Sequence, residues 1–586
     1  MSHTKNLKIS IRNAISDSGN EKNISLAKHR DKTCKNSQAF NNPVKKAKRR
    51  VSHSLVIKGT LVLTITGLAT RFIGFYNRIF LSNLIGAKEL GIYQLIFPLY
   101  MVAFSLTTMG NELALTKLVS EYEGRNDRKS AIGFFKTCFN INLILGIATA
   151  LFFYFNADYL SVKVLNASSC SDCLRILSIG IPFMAMKGAV HGYFMGLERS
   201  EVHGTSDFLE QIVKIGGLYI LSTYFISSET FTAAFAVIGI VLGEIVSFIY
   251  SLIRLIIEFH RYHVNSLNNI STTQFNVQKH NQNQKRRLHA GKDSCSVHKS
   301  FPINSDKILS VFIKNAIPLT TNRFALTVLQ SAEAILIPTF LLQYYHDSET
   351  SLSIYGIFTG MAFPFIMFPA TLTNSLSTML LPAVSGARSE LNSGYLSRLV
   401  ERSIRFCLLI GIFSGITFFI FGKSMGSLFF NNEEAGIFLY QLSFLCPLIY
   451  LATTLASVLN GLGFATHNLC LTLLSTGIRL SFIIFAIPKI GISGYVIGLF
   501  ASYLFLTFAS LKKLNGLVLF ELHFIRDIIS PLIFFSTTGF LSYIIYDKAD
   551  VPSTLKIPYL LLVLALYGMV CFTAYLYPLA YSDTKK

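Results

Sequence analysis

Residues 233–253 read AAFAVIGIVLGEIVSFIYSLI, and across that run the one ionisable side chain is Glu244. A helix needs about 20 mostly apolar residues to cross a bilayer. Membrane strands show segments of about ten residues with alternating polarity, and this run has no such period. It therefore reads as a helix that crosses a membrane. Comparable stretches recur near 55–80, 91–115, 131–155, 173–197, 208–226, 308–343, 352–382, 403–421, 437–460, 469–488, 491–511, 527–546 and 557–578. Over the 586 residues, hydrophobic side chains make up 51% and charged ones 14%, with a mean hydropathy of +0.49. A soluble globule would carry about 25% charge. The expectation is an all-α, polytopic membrane protein of about fourteen transmembrane helices, arranged as two six-helix lobes plus two C-terminal helices.

Basic residues set the orientation, because Lys and Arg are retained on the cytoplasmic side. The amino-terminal arm is basic, as are the loop with Arg125, Arg128 and Lys129, the interval from Arg254 to Lys307, the loop with Arg388, Arg398, Arg402 and Arg405, and that with Lys512, Lys513 and Arg526. They fall at every second loop. The intervening loops are short or carry acids such as Asp158, Glu229, Asp347, Glu349, Glu433 and Glu434. Both termini are therefore expected in the cytoplasm, in a multi-pass protein of the cell membrane.

Two polar intervals divide the chain. Residues 1–54 hold thirteen of the fifty-two Lys and Arg residues by position 50 and few large apolar side chains, the composition of a disordered arm. Its closing cluster, Lys45, Lys46, Lys48, Arg49 and Arg50, suits anionic headgroups or simple orientation of the first helix. The arm contains no apolar run of a cleavable signal peptide. Residues 255–307 read as a polar, flexible cytoplasmic connector whose His260, His263, His280, His289 and His298 are solvated rather than metal-binding. No metal site or cofactor is expected. The lobes then span 55–254 and 308–511, with two additional helices and a short tail over 512–586.

The halves echo each other. Tyr193-Phe194-Met195-Gly196-Leu197 precedes Lys214 by seventeen residues, and Val458-Leu459-Asn460-Gly461-Leu462 precedes Arg479 by the same interval. Gly91-Ile92-Tyr93 opens the second span and Ser353-Ile354-Tyr355 the eighth, with Asn111 and Asn374 near matching helix ends. Six helices per repeat place both halves the same way up, the geometry of parallel-repeat transporters whose substrate binds between the halves.

Function then rests on charges inside the spans, since one at the bilayer centre costs about 2.5 to 3.5 kcal/mol and faces protein or water. In the first span Thr60, Thr64, Gly67, Arg71, Gly74 and Arg78 recur at three or four residues and share a helical face, with Asn77 beside them. Arg78 either lines a cavity or snorkels to headgroups. Lys187, Lys214, Arg323 and Arg479 are further embedded cations, and Glu112, Glu210, Glu244 and Glu333 embedded acids. Glu210 and Lys214 are spaced for an i,i+4 ion pair. His191 reads as a packed polar residue or, less readily, a proton relay. Several guanidinium and ammonium groups at membrane depth suit phosphate oxygens, so a lipid with a diphosphate head is the substrate class they fit. A cationic drug would favour carboxylates instead.

Thr70-Arg71-Phe72-Ile73-Gly74-Phe75-Tyr76-Asn77-Arg78, Leu84-Ile85-Gly86, Gly91-Ile92-Tyr93, Lys117-Leu118-Val119-Ser120-Glu121, Gly192-Tyr193-Phe194-Met195-Gly196 and Glu210-Gln211-Ile212-Val213-Lys214 resemble the polysaccharide-transport, lipid II flippase-like branch of the multidrug, oligosaccharidyl-lipid and polysaccharide exporter superfamily. The resemblance runs from about Lys58 to the carboxyl terminus. It implies two lobes around a cationic cavity that moves an undecaprenyl-diphosphate-linked saccharide across the cytoplasmic membrane by alternating access, for spore cortex or cell-wall synthesis. Membrane lipids and cell-wall synthesis proteins are its implied partners. Arg71, Asn77, Arg78, Lys214 and Arg323 are the implied substrate-binding residues, with Glu333 beside them; the embedded Arg479 joins them on its charge, and Glu112, Glu244 and Glu333 are the candidates for coupling. The chain departs from the family at Asn111-Glu112-Leu113, where a Gly, then Leu or Ile, then Pro is usual, and at Lys214, where Arg is commoner. A drug or small-cation antiporter of the same superfamily is the alternative.

Other classes fare worse. The net charge of +21 sits in the loops that a membrane topology makes basic, so nucleic acid is not an expected partner. Full phosphate-binding loops and a Gly-x-Ser-x-Gly elbow are missing, and no enzyme is expected. Cys170 and Cys173 are spaced for a disulfide or for two free thiols.

Overall fold

The computed structural model describes residues 53–125, 127–225, 232–284, 305–389, 393–549, 551–552 and 555–576. Among them the regular structure is helical throughout, without a strand. The first half comprises α1 (His53–Phe104), α2 (Gly110–Gly124), α3 (Arg128–Phe155), α4 (Ser171–Gly196), α5 (Glu201–Phe225) and α6 (Ala233–Gln284). The second comprises α7 (Ser305–Tyr345), α8 (Ser348–Gly356), α9 (Phe363–Met367), α10 (Ala370–Ser389), α11 (Ser393–Phe430), α12 (Glu433–Leu442), α13 (Cys446–Gly461), α14 (Ala465–Phe485) and α15 (Ile492–Asn515). Two further helices, α16 (Ser530–Lys548) and α17 (Lys556–Cys571), close the described chain. Side-chain caps start several of these helices: Asp127 accepts from Ser130 N, Asp347 from Thr350 N and Asn432 from Ala435 N.

Twelve described segments are long and apolar enough to cross a membrane. One of them holds both limbs of α1, which meet at Gly86, and α5 falls outside the twelve because Glu201, His203, Asp207, Glu210 and Lys214 lower its hydropathy. Counting the limbs separately and adding α5 brings the total to about fourteen.

Two elements differ from expectation. The first two spans, by contrast, are separate helical limbs as expected: they meet at a kink at Gly86, with φ 74° and ψ 177°. That region is open essentially to glycine alone. The connector was expected to be flexible from residue 255, but α6 runs on to Gln284; residues 244–284 contain neither Pro nor Gly to stop it. The basic arm and residues 285–304 lie outside the described residues. The span 352–382 is interrupted, with a wide turn over Ile357–Ala362 and a break between α9 and α10 at Pro369, which lacks an N–H to continue the helix.

Packing follows one plan in both halves. In the first, α4 packs on α2, α3 and α6, and α5 packs on α6; in the second, α13 packs on α10, α11 and α15, and α14 packs on α15. These are the two lobes, and α16 and α17 pack onto the second through α11. Helix α7 joins them. Its Phe312 and Ala316 are buried among Leu115, Leu118 and Phe134 of the first lobe, while α7 also packs against α14. Buried amides stitch the first lobe: Asn111 Nδ2 donates to Asn142 Oδ1 and Asn142 Nδ2 to the Ala185 carbonyl, both at 2.8 Å. Glu89 accepts from the Ala233 N–H at the start of α6, where the helix dipole favours an anion.

The lobes meet closely at the end of the bundle away from Arg125, Arg128 and Arg199. A Cβ placed at Gly91 would lie 2.0 Å from the Leu352 carbonyl oxygen, and one at Gly356 would lie 2.2 Å from that of Ala87. Backbone therefore touches backbone, the mode by which small residues join helices in lipid. Asn83 Nδ2 donates to the Phe429 carbonyl at 2.8 Å, and the Phe75 ring packs on Phe365 and Phe368. Lys88 and Glu349 pair at 3.1 Å, an exposed contact that contributes at most about 1 kcal/mol. Gly356→Ala is expected to push the lobes apart at this end. Spin labels at positions 88 and 349, in a chain lacking its native cysteines, would read a longer and broader distance; an unchanged distribution would show that the crossing does not hold this end closed.

Candidate functional site

The first lobe encloses a cavity of about 440 Å³. Each wall is one helical face. Helix α1 supplies Thr70, Gly74, Asn77, Arg78 and Leu81 from one limb, and Leu90, Tyr93, Gln94, Phe97, Tyr100, Met101 and Phe104 from the other. Helix α2 adds Glu112, and α4 adds Met184, Lys187, Gly188 and His191. Helix α5 adds His203, Asp207, Glu210, Gln211 and Lys214; α6 adds Ile240 and Glu244. Spacings of three, four and seven bring these onto single faces.

The charges fall into two groups. Lys187 is buried and its Nζ lies 2.6 Å from both Glu210 Oε2 and Glu244 Oε2, so one ammonium ties α4 to α5 and α6. Tyr100 donates its hydroxyl to Glu244 Oε1 at 2.6 Å. Arg78 and Lys214 line the same space with no carboxylate within 4 Å among the described residues. Lys214 stands over the rings of Tyr93 and Phe97, at 5.8 and 5.9 Å, a cation–π placement. The expected pair between Glu210 and Lys214 does not form, because Glu210 reaches Lys187 instead. Asn77 in the same wall buries an Oδ1 that has no hydrogen-bond partner among the described residues.

Of the residues singled out from sequence, Asn77, Arg78, Lys214, Glu112 and Glu244 come together here. Arg71 does not line the cavity; it is exposed, and its Nη1 donates to the Thr371 carbonyl at 3.3 Å, just beyond the break before α10. Arg323 is exposed on α7 and also lies outside the lining. Arg479 is engaged: its Nε and Nη2 meet the two oxygens of Glu333 at 2.6 and 3.0 Å, and Tyr495 adds a hydrogen bond to Glu333. The side chains of Thr60 and Thr64 lie outside the described residues. A cationic cavity between the lobes was expected, with a few acids for coupling; this cavity is lined by the first lobe alone, with Arg78, Lys187 and Lys214 against Glu112, Asp207, Glu210 and Glu244. Tyr93, Gln94, His203, Asp207 and Gln211 were missed. Asp207 and His203 were readable as polar residues early in α5, yet only the packing of α5 on α6 and α4 turns that face inward. Cys170 and Cys173 are free and buried.

A family model described as polysaccharide biosynthesis protein matches residues 56–388. The chain belongs to the polysaccharide biosynthesis protein family. Among relatives, stage V sporulation protein B of Bacillus subtilis (strain 168) is 25% identical over 460 residues, covering 77% of this chain and 82% of its own length. Lipid II flippase MurJ of the same organism is 24% identical over 215 residues, or 34% of this chain and 39% of the relative. Among solved structures, the inward closed conformation of lipid II flippase MurJ aligns with a TM-score of 0.61 at 13% identity, over 88% of this chain and all of that one. An inward-facing multidrug resistance MATE family transporter of the MOP superfamily aligns at 0.54 with 15% identity, over 79% of this chain and 98% of that one. These likenesses establish the multi-pass transporter fold for this family member.

The Lys187 cluster makes a test of the cavity wall. Lys187→Met leaves Glu210 and Glu244 facing each other without a cation, and removing one partner of a buried pair costs about 3 to 5 kcal/mol. The melting temperature of the detergent-solubilised protein is expected to fall, and Glu244→Gln added to Lys187→Met to recover part of the loss. Equal melting of the wild type and the single variant would show that the cluster does not hold the helices together.

Proposed function

We propose that this protein is a flippase or exporter that moves a lipid-linked diphosphate saccharide across the cytoplasmic membrane by alternating access, with both termini in the cytoplasm. One observation carries the reading: Arg78 and Lys214 line an intramembrane cavity without a carboxylate partner among the described residues, whereas Lys187 and Arg479 are matched. Arg78 is exposed and Lys214 half-buried, so both can reach an anion that enters the cavity, and guanidinium binds phosphate through paired hydrogen bonds. The lipid's chain would stay in the bilayer while its head enters the cavity. Asn77 and Gln94, with Tyr93, offer hydrogen bonds to sugar hydroxyls. The relatives, a lipid II flippase and a sporulation protein, point the same way, toward an undecaprenyl-diphosphate-linked precursor for spore cortex or cell wall. Cell-wall synthesis enzymes would supply and consume it.

Transport proceeds in this reading by closing the end held at Gly91 and Gly356 while the head loads from the other side, then reversing. Glu112 is the acid in the wall with neither an ion pair nor a hydrogen bond to its carboxylate among the described contacts, so it is the first choice for a coupling group. Glu244 and Glu333 already hold Lys187 and Arg479, which makes them structural first.

A second reading has its own support. The four carboxylates of the cavity suit a cationic drug or small cation, as an antiporter would bind. Translocation of an undecaprenyl-diphosphate saccharide in reconstituted vesicles separates the two. Losing a charge-assisted hydrogen bond of about 1.5 to 3 kcal/mol predicts that Arg78→Ala and Lys214→Ala each slow translocation about tenfold or more, with Lys214→Arg retaining it. Unchanged translocation in both alanine variants, or drug-driven ion exchange without lipid movement, would overturn the lipid reading.

A further inference from the structure

We propose that His191, His203 and Asp207 form a binding site for one divalent first-row transition ion of the zinc class, set in the wall of the first-lobe cavity. One ligand atom from each residue lies within 4.8 Å of the other two. His203 and Asp207 are one turn apart on α5 and share a face, while His191 faces them from α4. The two helices are joined by a tight turn through Glu198, whose φ is +61°, so the three ligands arrive from a short, constrained segment.

The geometry is near that of an ion site. The Nδ1 atoms of His191 and His203 are 2.7 Å apart, with the rings edge to face. Two nitrogens bound to one tetrahedral zinc at about 2.0 to 2.1 Å stand roughly 3.3 Å apart, so the rings must part by roughly 0.6 Å. Asp207 Oδ2 lies 3.8 Å from His203 Nε2, and its partly exposed side chain can swing to the shared point. His191 is oriented from behind. Its Nε2 lies 3.3 Å from Ser251 Oγ, which is 2.9 Å from Ser206 Oγ, and that in turn is 2.7 Å from Ser247 Oγ. Such an outer shell holds a metal-bound imidazole in place.

Donor type and charge agree. Two imidazoles and a carboxylate are the ligand set of borderline ions such as zinc, and three protein ligands leave a further position for water or an anionic oxygen. That position faces the cavity, where Arg78, Lys187 and Lys214 are outnumbered by Glu112, Asp207, Glu210 and Glu244. A divalent ion turns this one-charge deficit into a surplus. The site stands on its own residues and does not rest on the flippase reading, because its test is binding rather than transport.

Cobalt(II) is the probe, since its visible absorption reports tetrahedral nitrogen and oxygen ligation. The full chain in detergent, with His260, His263, His280, His289 and His298 changed to alanine to silence competing histidines, is titrated with cobalt and then zinc. The expected result is one cobalt bound and displaced by zinc. His203→Ala and Asp207→Asn should each weaken binding about tenfold or more, the scale of losses at metal sites. Gel filtration and melting confirm that these variants, at partly exposed positions, remain folded, and buried His191 is left unchanged. Equal affinity in both variants, or no saturable cobalt binding because the two rings share only a hydrogen bond, overturns the proposal.

Discussion

A charge buried in a low-dielectric interior must find an opposite charge or water, and that requirement organises this protein. Lys187 shows how. Its ammonium is buried in the cavity wall with little solvent to balance it, so Glu210 from α5 and Glu244 from α6 converge on it, and the three helices become one wall. With those carboxylates engaged, Lys214 cannot pair with the glutamate one turn before it. It turns to the faces of Tyr93 and Phe97 and keeps its charge available to the cavity. The ion cluster and the free cations are thus two outcomes of a single constraint.

The repeat sharpens the point. Lys214 and Arg479 follow matching motifs at the same interval in the two halves and sit on α5 and α14, which occupy corresponding places in the packing. Arg479 is clamped by both oxygens of Glu333 and lies 5.8 Å from the Tyr503 ring centre. Lys214 has no such acid among the described residues. One scaffold used twice has therefore yielded a neutralised position in the second lobe and a receptive one in the first. Because Glu333 comes from α7, the helix that touches both lobes, the second-lobe pair also anchors the crossing segment. The cation equivalent by sequence is not equivalent by environment.

Closure has a different origin. At Gly91 and Gly356 the main chains come so near that a single methyl group has no room, and polar contacts at Asn83 and Lys88 only accompany that fit. Close packing of this kind is all-or-none, since backbone atoms cannot yield as flexible side chains do. It favours a lobe contact that is either made or broken. The break at Gly86, in a conformation reserved for glycine, lets the two limbs of α1 reach this contact while both still face the cavity.

The membrane class, the helical architecture and most of the spans were legible because hydrophobic run length is a local property of the sequence. Arg78, Asn77, Lys214, Glu112 and Glu244 also stood out, because polarity is conspicuous in an apolar segment, and the structure gathers them around one cavity. Partner choice was not. Whether Arg71 faces a cavity or the Thr371 carbonyl, whether Glu210 pairs with Lys214 or Lys187, and whether His191 meets His203 depend on how helices distant in sequence rotate against one another. By itself the sequence determined which residues must be protected from lipid; only the tertiary structure decided which of them protect each other and which stay free to act, because pairing needs proximity in space and proximity is set by packing.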